Sequence, residues 1–165
     1  PSRADNVRMK NSPAVQDFYP DDFSHCRGCG RLNTQGHQFK TRRNGEETVT
    51  LYTPAPHETA VPGFVYGGLI AALVDCHAMA TASAAALEAS GVEIGEAPSP
   101  RFVTASLKVD FMKPTPVGVV LEARGHIRER SERKAIVEVT IAAAGVVTAR
   151  GEVVAVAMPS AMKRP

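Results

Sequence analysis

One long apolar segment, residues 67–90, constrains this chain more than any other feature. It starts at the pair Gly67-Gly68, is dense in alanine and is closed by Gly91, which predicts the single long helix of the chain. Almost no face of this helix is polar, so other elements must enclose it. A bilayer is disfavoured, because Asp75 and His77 near the centre would each cost about 3 kcal/mol there. We therefore expect a buried core helix and no membrane partner.

Runs rich in valine, isoleucine and threonine predict the strands around this helix. Two strands joined by an Asn-Gly hairpin turn precede the helix, and four strands with short connections follow it. The predicted strands are residues 38–42, 47–53, 103–112, 119–128, 134–143 and 147–158. This order indicates an α+β fold, in which a curved antiparallel sheet of five or six strands wraps the helix. The short connections favour a meander for the last four strands.

Length and composition bound the remaining possibilities. A chain of 165 residues predicts one domain, here residues 15–160, after a polar amino-terminal arm, residues 1–14, that we expect to be mobile. A net charge of +2 and an aromatic content of 5% give no basis for a nucleic-acid partner. Three cysteines cannot form a disulfide framework, and no signal peptide is visible. We therefore expect a cytoplasmic protein.

The start of the predicted helix has the features of a reactive site. Paired glycines, Gly67 and Gly68, let a ligand carbonyl or phosphate approach bare backbone N–H groups that the helix dipole also favours. Asp75 lies seven residues beyond the pair, flanked by apolar neighbours, where burying a carboxylate is costly without a reason. Together these residues indicate a binding site for an electrophile and a nearby acid or base.

Several motifs in order resemble one enzyme family. They are Gly63-Phe-Val-Tyr-Gly-Gly68, then Asp75, then the strand from Thr104 to Pro114, preceded by Cys26-x-x-Cys-Gly30. This arrangement resembles the hot-dog-fold acyl-CoA thioesterases, in particular the phenylacetate-pathway and human THEM-type branch. The resemblance implies a hot-dog fold and hydrolysis of an acyl-CoA to a carboxylic acid and coenzyme A, with no cofactor and no metal.

The resemblance also implies roles for individual residues. The Gly67 N–H matches the group that polarises the thioester carbonyl, Asp75 matches the general base or nucleophile, and Thr104 matches the hydroxyl that orients water. The remaining expected substrate contacts are Tyr66, Gly68, His57 and Arg133, the last against coenzyme A phosphates.

Two positions depart from the family pattern. Tyr66 stands where the family has histidine, and Ala60 stands where it often has asparagine. His57, Glu58 or Thr59 are the candidates to replace the missing asparagine.

The spacing of the two main groups predicts an oligomer. Gly67 and Asp75 are eight residues apart, about 12 Å along a helix, whereas a nucleophile must lie about 3–3.5 Å from its target carbon. Two antiparallel copies in a two-fold dimer can place Gly67 of one subunit against Asp75 of the other. We therefore expect a homodimer, and the sequence leaves open whether two dimers pair again into a homotetramer.

Cys26-x-x-Cys29 admits zinc, redox or purely structural interpretations. Zinc needs four ligands and a second ligand pair is missing, while a redox pair needs a thioredoxin-like setting that this chain lacks. Packing of a tight turn is the favoured interpretation, and Cys76 is expected to be a buried small apolar residue.

Two other functions remain open at this stage. A non-catalytic protein that binds acyl-CoA to regulate is favoured by Tyr66 and Ala60. An acyl-thioester hydratase or dehydratase is suggested by His57 followed by Pro62-Gly63, although the spacing is short. The sequence leaves open the acyl group and the choice between base and anhydride mechanisms.

Overall fold

The computed structural model describes residues 12–162, in which one long helix packs against one antiparallel sheet. The helix α1 spans Gly67–Ala89, within one residue of the prediction. The strands are β1 Thr41–Asn44, β2 Glu47–Tyr52, β3 Phe102–Phe111, β4 Leu121–Arg130, β5 Lys134–Ala143 and β6 Val146–Ala157. Short 3-10 helices span Val15–Phe18, Asp21–Phe23 and Ser160–Met162. The predicted α+β hot-dog architecture is confirmed.

Helix α1 is the core of this fold. Fourteen of its 23 residues are buried, and its carboxyl end is closed by Gly91 at φ +69°. There the Gly91 N–H donates to the Glu88 carbonyl and the Val92 N–H to the Leu87 carbonyl, the pattern of a Schellman cap. The helix is long and apolar enough to cross a membrane, but 72% of its most apolar window is buried inside the fold. The sheet supplies the enclosure that its sequence requires.

Close approach of β6 to the helix depends on a glycine. A Cβ added to Gly151 would lie 2.3 Å from Cγ1 of Val74, closer than atoms can pack. Gly151 pairs with Val139 of β5 and Val109 of β3, in the middle of the sheet. The absence of a side chain at this point lets the sheet curve onto α1.

The meander prediction was wrong for the step from β3 to β4. The sheet order is β1-β2-β4-β5-β6-β3, so β3 pairs with β6 and lies at the sheet edge. The connection after β3 pairs instead with the loop before α1: the Val65 N–H donates to the Thr115 carbonyl at 2.8 Å, and the Val117 N–H to the Gly63 carbonyl at 3.0 Å. This pairing carries the chain from one edge of the sheet toward the other.

The amino-terminal predictions were also corrected in part. The predicted strand 38–42 is displaced, because Gln38 has a φ of 57° that no strand adopts, and β1 begins at Thr41. Residues 1–11 of the predicted arm lie outside the described residues. Ala14, which we also assigned to the arm, is fully buried. The ordered fold therefore includes at least this last residue of the predicted arm.

A buried carboxylate holds the loop that leads into α1. Glu58 is 5% exposed, and it accepts hydrogen bonds from the Tyr52 hydroxyl at 2.7 and 2.9 Å and from the Ala55 N–H at 2.8 Å. Nδ1 of His37 lies 2.7 Å from its Oε1. Burial opposes ionisation, but the hydrogen bonds from Tyr52 and Ala55 and the nearby His37 hold the pKa of Glu58 below its ordinary value. The Glu58 carbonyl accepts from the N–H of Tyr66, so this network positions the residue that precedes the helix.

We predict that Glu58→Gln destabilises the fold above pH 4.5 but not in acid. A carboxylate whose pKa is lowered by folding stabilises the native state above its unfolded pKa, here 4.5, and this stabilisation is lost as the pH falls through the folded pKa. The free energy of unfolding from urea titrations should fall by about 1–3 kcal/mol at pH 7, with a smaller difference below pH 4.5. Glu132→Gln, in an exposed turn, is the matched control. A difference that is constant with pH would contradict the account.

Candidate active site

The amino end of α1 exposes backbone N–H groups beside aromatic rings. Tyr66 is the N-cap residue, and no side chain caps this end, so the first N–H groups have no partner within the helix. A Cβ on Gly67 would lie 3.3 Å from Cζ of Phe111, and one on Gly68 would lie 2.6 Å from Cε2 of Tyr66. Glycine at both positions therefore lets two rings lie directly against the helix start.

A pocket of about 290 Å³ opens at Gly67. Its walls are mainly apolar side chains, and Lys113 adds a positive charge. Phe111 and Met112 are each 56% exposed, so the pocket meets the protein surface on this side. The other lining residues are Phe64, Val65, Ile70, Pro114 and Thr115.

Asp75 and Thr104 form the second part of the candidate site. Asp75 is half-buried on α1, and the Thr104 hydroxyl on β3 donates a hydrogen bond to its Oδ1. Burial raises the pKa of Asp75; the Thr104 hydrogen bond and the Arg101 charge oppose this rise, and Cys26 adds to it. The pairing register shifts between Thr104 and Ser106, and such bulges redirect side chains next to functional sites.

The structure brings Asp75 and Thr104 together but keeps Gly67 apart from them. Thr104 lies near the start of β3 and contacts Asp75, whereas Phe111 at the end of β3 covers Gly67. Gly67 and Asp75 are separated by eight helical residues, about 12 Å. Within one chain, the helix start and the carboxylate cannot reach the same carbonyl group.

Strand β3 is exposed along the edge that faces away from β6. Every residue from Thr104 to Lys108 is exposed, including Leu107 at 40%. Within the described residues, β3 pairs with no strand other than β6. Its outer N–H and C=O groups are therefore available to another strand.

The other predicted substrate contacts occupy different surroundings. Tyr66 and Gly68 lie at the helix start, with the Tyr66 ring across Gly68. His57 is exposed in the loop after β2, beside the buried Glu58. Arg133 is exposed in the turn between β4 and β5, where its carbonyl accepts from the N–H of Ala157.

His77 belongs to the core of the protein. It is fully buried, with Nδ1 at 2.8 Å from Oγ1 of Thr50 and Nε2 at 3.2 Å from Oγ1 of Thr48. Burial lowers the pKa of His77 to about 3, so its ring is neutral at pH 7. Both ring nitrogens are occupied by threonines of β2, and this histidine has no access to Asp75 through them.

Two features of the site were missed by the sequence analysis. Cys76 is buried, as expected of a small apolar residue, but its sulfur lies 3.7 Å from that of Cys26, and Cys29 completes a cluster of three thiols that could hold a metal. Arg101, just before β3, is half-buried and stacks over the Tyr19 ring at 4.7 Å. Neither feature has a local sequence signal, because residues of the amino-terminal turn meet α1 only through the fold.

Comparison with known proteins identifies the family of this chain. Residues 62–150, over half of the chain, match the Thioesterase superfamily. The chain is 32% identical over 96 residues to acyl-coenzyme A thioesterase THEM4 of Mus musculus, covering 58% of this chain and 36% of THEM4. It therefore spans about a third of the length of that curated relative.

Solved structures show the same fold. A Thioesterase superfamily protein from Shewanella loihica PV-4 is 44% identical, with a TM-score of 0.62, covering 84% of this chain and 98% of that one. The PaaI protein of the E. coli phenylacetic acid degradation operon has a TM-score of 0.60 at 13% identity, covering 74% and 81% of the two chains. The predicted resemblance to the hot-dog-fold thioesterases is confirmed: the chain has this fold, and it belongs to the Thioesterase superfamily.

Proposed function

We propose that this protein hydrolyses an acyl-CoA thioester to a free carboxylic acid and coenzyme A. The observation that carries the proposal is the half-buried carboxylate of Asp75 on helix α1, which accepts a hydrogen bond from the Thr104 hydroxyl on β3. The amino end of the same helix has no side-chain cap, so its first N–H groups can bind a ligand. Its family membership and its similarity to a protein named acyl-coenzyme A thioesterase support the same reaction and substrate class.

Asp75 supplies the base or the nucleophile. As a base it takes a proton from water, the resulting hydroxide adds to the carbonyl carbon, the C–S bond breaks, and the coenzyme A thiolate takes the proton. As a nucleophile it adds to the carbonyl carbon itself, expels the thiolate, and water then cleaves the anhydride. The raised pKa of Asp75 favours proton abstraction, while Thr104 holds one carboxylate oxygen in place. The geometry is compatible with both routes.

The Gly67 N–H is the group that stabilises the thioester carbonyl oxygen during the reaction. Negative charge develops on the carbonyl oxygen in either route, and a free N–H at a helix start stabilises it. The pocket at Gly67 places apolar walls around this point, which suits an acyl group, and Lys113 at the same pocket suits a phosphate or a carbonyl oxygen. Arg133 remains our second proposed contact for the coenzyme A phosphates.

The catalytic groups act across a dimer. Because Gly67 and Asp75 of one helix are about 12 Å apart, the Asp75 of one subunit must meet the Gly67 of its partner. The exposed edge of β3 is the surface that suits this pairing, since Thr104 lies on it and Phe111 covers Gly67 at its other end. We propose a homodimer through β3, and we leave open a tetramer made of two such dimers. A cytoplasmic location remains our expectation.

One observation favours the second candidate, a non-catalytic acyl-CoA-binding protein. Tyr66 occupies the position of the family histidine, and its ring lies across Gly68. The ring therefore leaves less space for a thioester to reach the first N–H groups of the helix. Such a protein would bind coenzyme A without releasing its thiol. For a hydratase or dehydratase, the structure offers His57 only as an exposed residue of the loop after β2.

Release of free thiol from acyl-CoA substrates tests the proposed reaction. Across short, medium, long and aryl acyl-CoAs, we expect turnover on at least one class, with kcat lowered about 10²–10⁴-fold in Asp75→Asn because the base or nucleophile is lost. Asp22→Asn makes the same change at an exposed position of the 3-10 helix Asp21–Phe23, away from β3, and should leave kcat near that of the wild type. Coenzyme A binding without turnover on any substrate would favour the non-catalytic candidate.

Sedimentation tests the proposed dimer. The wild-type protein should sediment at about twice its 17.5 kDa chain mass, and Leu107→Lys should shift it toward monomer because it places charge on the β3 edge. Leu32→Lys is the matched control, since Leu32 is similarly exposed, at 43%, but lies in the amino-terminal turn. A wild-type monomer with full thioesterase activity would contradict the proposed site.

A further inference from the structure

The sulfur atoms of the three cysteines meet at one point beside the candidate site. The sulfurs of Cys26, Cys29 and Cys76 all lie within 4.8 Å of one another, although Cys76 is 50 residues from Cys26. Cys29 and Cys76 are buried and Cys26 is half-buried. All three are free cysteines, and the proposed hydrolysis uses none of them.

The spacing of the sulfurs is that of ligands around a metal ion. Tetrahedral zinc with Zn–S bonds of about 2.3 Å places neighbouring sulfurs about 3.8 Å apart. The Cys26 and Cys76 sulfurs are 3.7 Å apart. A disulfide would need about 2.05 Å, and three sulfurs cannot all pair with one another. The sulfur–sulfur distances therefore fit three ligands that share one metal ion, and they do not fit a disulfide bond.

The turn from Cys26 to Gly30 is shaped for this approach. A Cβ on Gly28 would lie 2.3 Å from the Cys76 sulfur, and one on Gly30 would lie 2.4 Å from the Cys26 nitrogen. The Gly30 N–H donates to the Cys26 carbonyl at 2.8 Å, which tightens the turn.

A buried cation beside the cluster suits its charge. Arg101 is half-buried, its charge acts on Cys29 and Cys26, and its buried Nη1 has no hydrogen-bond partner among the described residues. Three thiolates around a divalent ion carry a net charge of −1, which the Arg101 guanidinium would neutralise. A buried guanidinium without a carboxylate bonded to it is costly unless a negative group lies nearby.

We propose that Cys26, Cys29 and Cys76 bind a thiophilic divalent cation of the zinc class as three thiolates. No fourth His, Cys, Asp or Glu ligand joins the three sulfurs within residues 12–162, so the fourth position takes water or another small ligand. The soft sulfur set favours zinc over magnesium or calcium. Cys76 follows Asp75 directly, so the ion ties the amino-terminal turn to α1 at the level of the carboxylate. This inference is independent of the proposed hydrolysis.

Metal analysis of the reduced protein is the first test. Protein purified in a thiol-free reducing buffer should contain about one zinc per chain, or take up that amount after removal of metal by a chelator and titration with Zn²⁺ alone. Each mole of zinc bound should also protect the cysteines from alkylation. Reduced protein that binds no zinc and alkylates freely at all three cysteines overturns the proposal. The proposal is also overturned if the purified protein contains an intramolecular disulfide among these cysteines and still binds no zinc after reduction.

Variants assign the ion to these sulfurs. Cys26→Ser, at the most exposed of the three, should weaken zinc binding by more than the roughly 10–100-fold expected for loss of an outer partner. His25→Ala removes the exposed imidazole next to Cys26, which is not one of the three proposed ligands, and should leave zinc affinity unchanged. If Cys26→Ser fails to fold by circular dichroism, Co²⁺ added to the metal-free wild type decides: thiolate-to-cobalt charge-transfer absorption supports the site, and its absence overturns it. Equal zinc affinity of folded Cys26→Ser and wild type also overturns it.

Discussion

The enclosure of one apolar helix is the constraint on which the rest of this structure depends. Helix α1 has no polar face, so the sheet must cover it on several sides, and the sheet can curve closely enough because Gly151 presents no side chain to Val74. The same burial raises the pKa of Asp75, the carboxylate that α1 carries into the protein. The feature that organises the core therefore also sets the environment of the proposed catalytic carboxylate.

The geometry of that helix divides the site. An amide donor at its start and a carboxylate two turns later cannot act on one carbonyl within one chain, because the rise of the helix separates them. On the exposed strand β3, Thr104 contacts the Asp75 carboxylate and Phe111 lies against Gly67 at the helix start. A second copy of the chain paired along β3 would bring its own Gly67 to this Asp75, and its own Asp75 to this Gly67. In the proposed mechanism, hydrolysis of a thioester therefore requires self-association.

The sequence predicted what local patterns determine. The bounds of α1 follow from its alanine-rich apolar run and from Gly91, and β5 was predicted at its observed bounds, Lys134–Ala143. Long-range pairing was not predictable: β3 joins β6 rather than β4, because backbone contacts of Val65 and Val117 guide the intervening connection. Asp75 and Thr104 came from a family motif and do meet. The approach of Cys76 to Cys26 could not be foreseen, because 50 residues separate them.

Complementation between two inactive variants tests the shared site most directly. Asp75→Asn removes the carboxylate, and Gly67→Pro removes the amide donor at a first-turn position where proline is compatible with the helix. Each variant alone should be inactive on the best acyl-CoA substrate. Mixed, unfolded together and refolded, they should recover about a quarter of wild-type activity, since half of the random dimers are mixed and each mixed dimer has one intact site. A mixture as inactive as its components, with mixed dimers shown to form, would contradict a site built from two subunits.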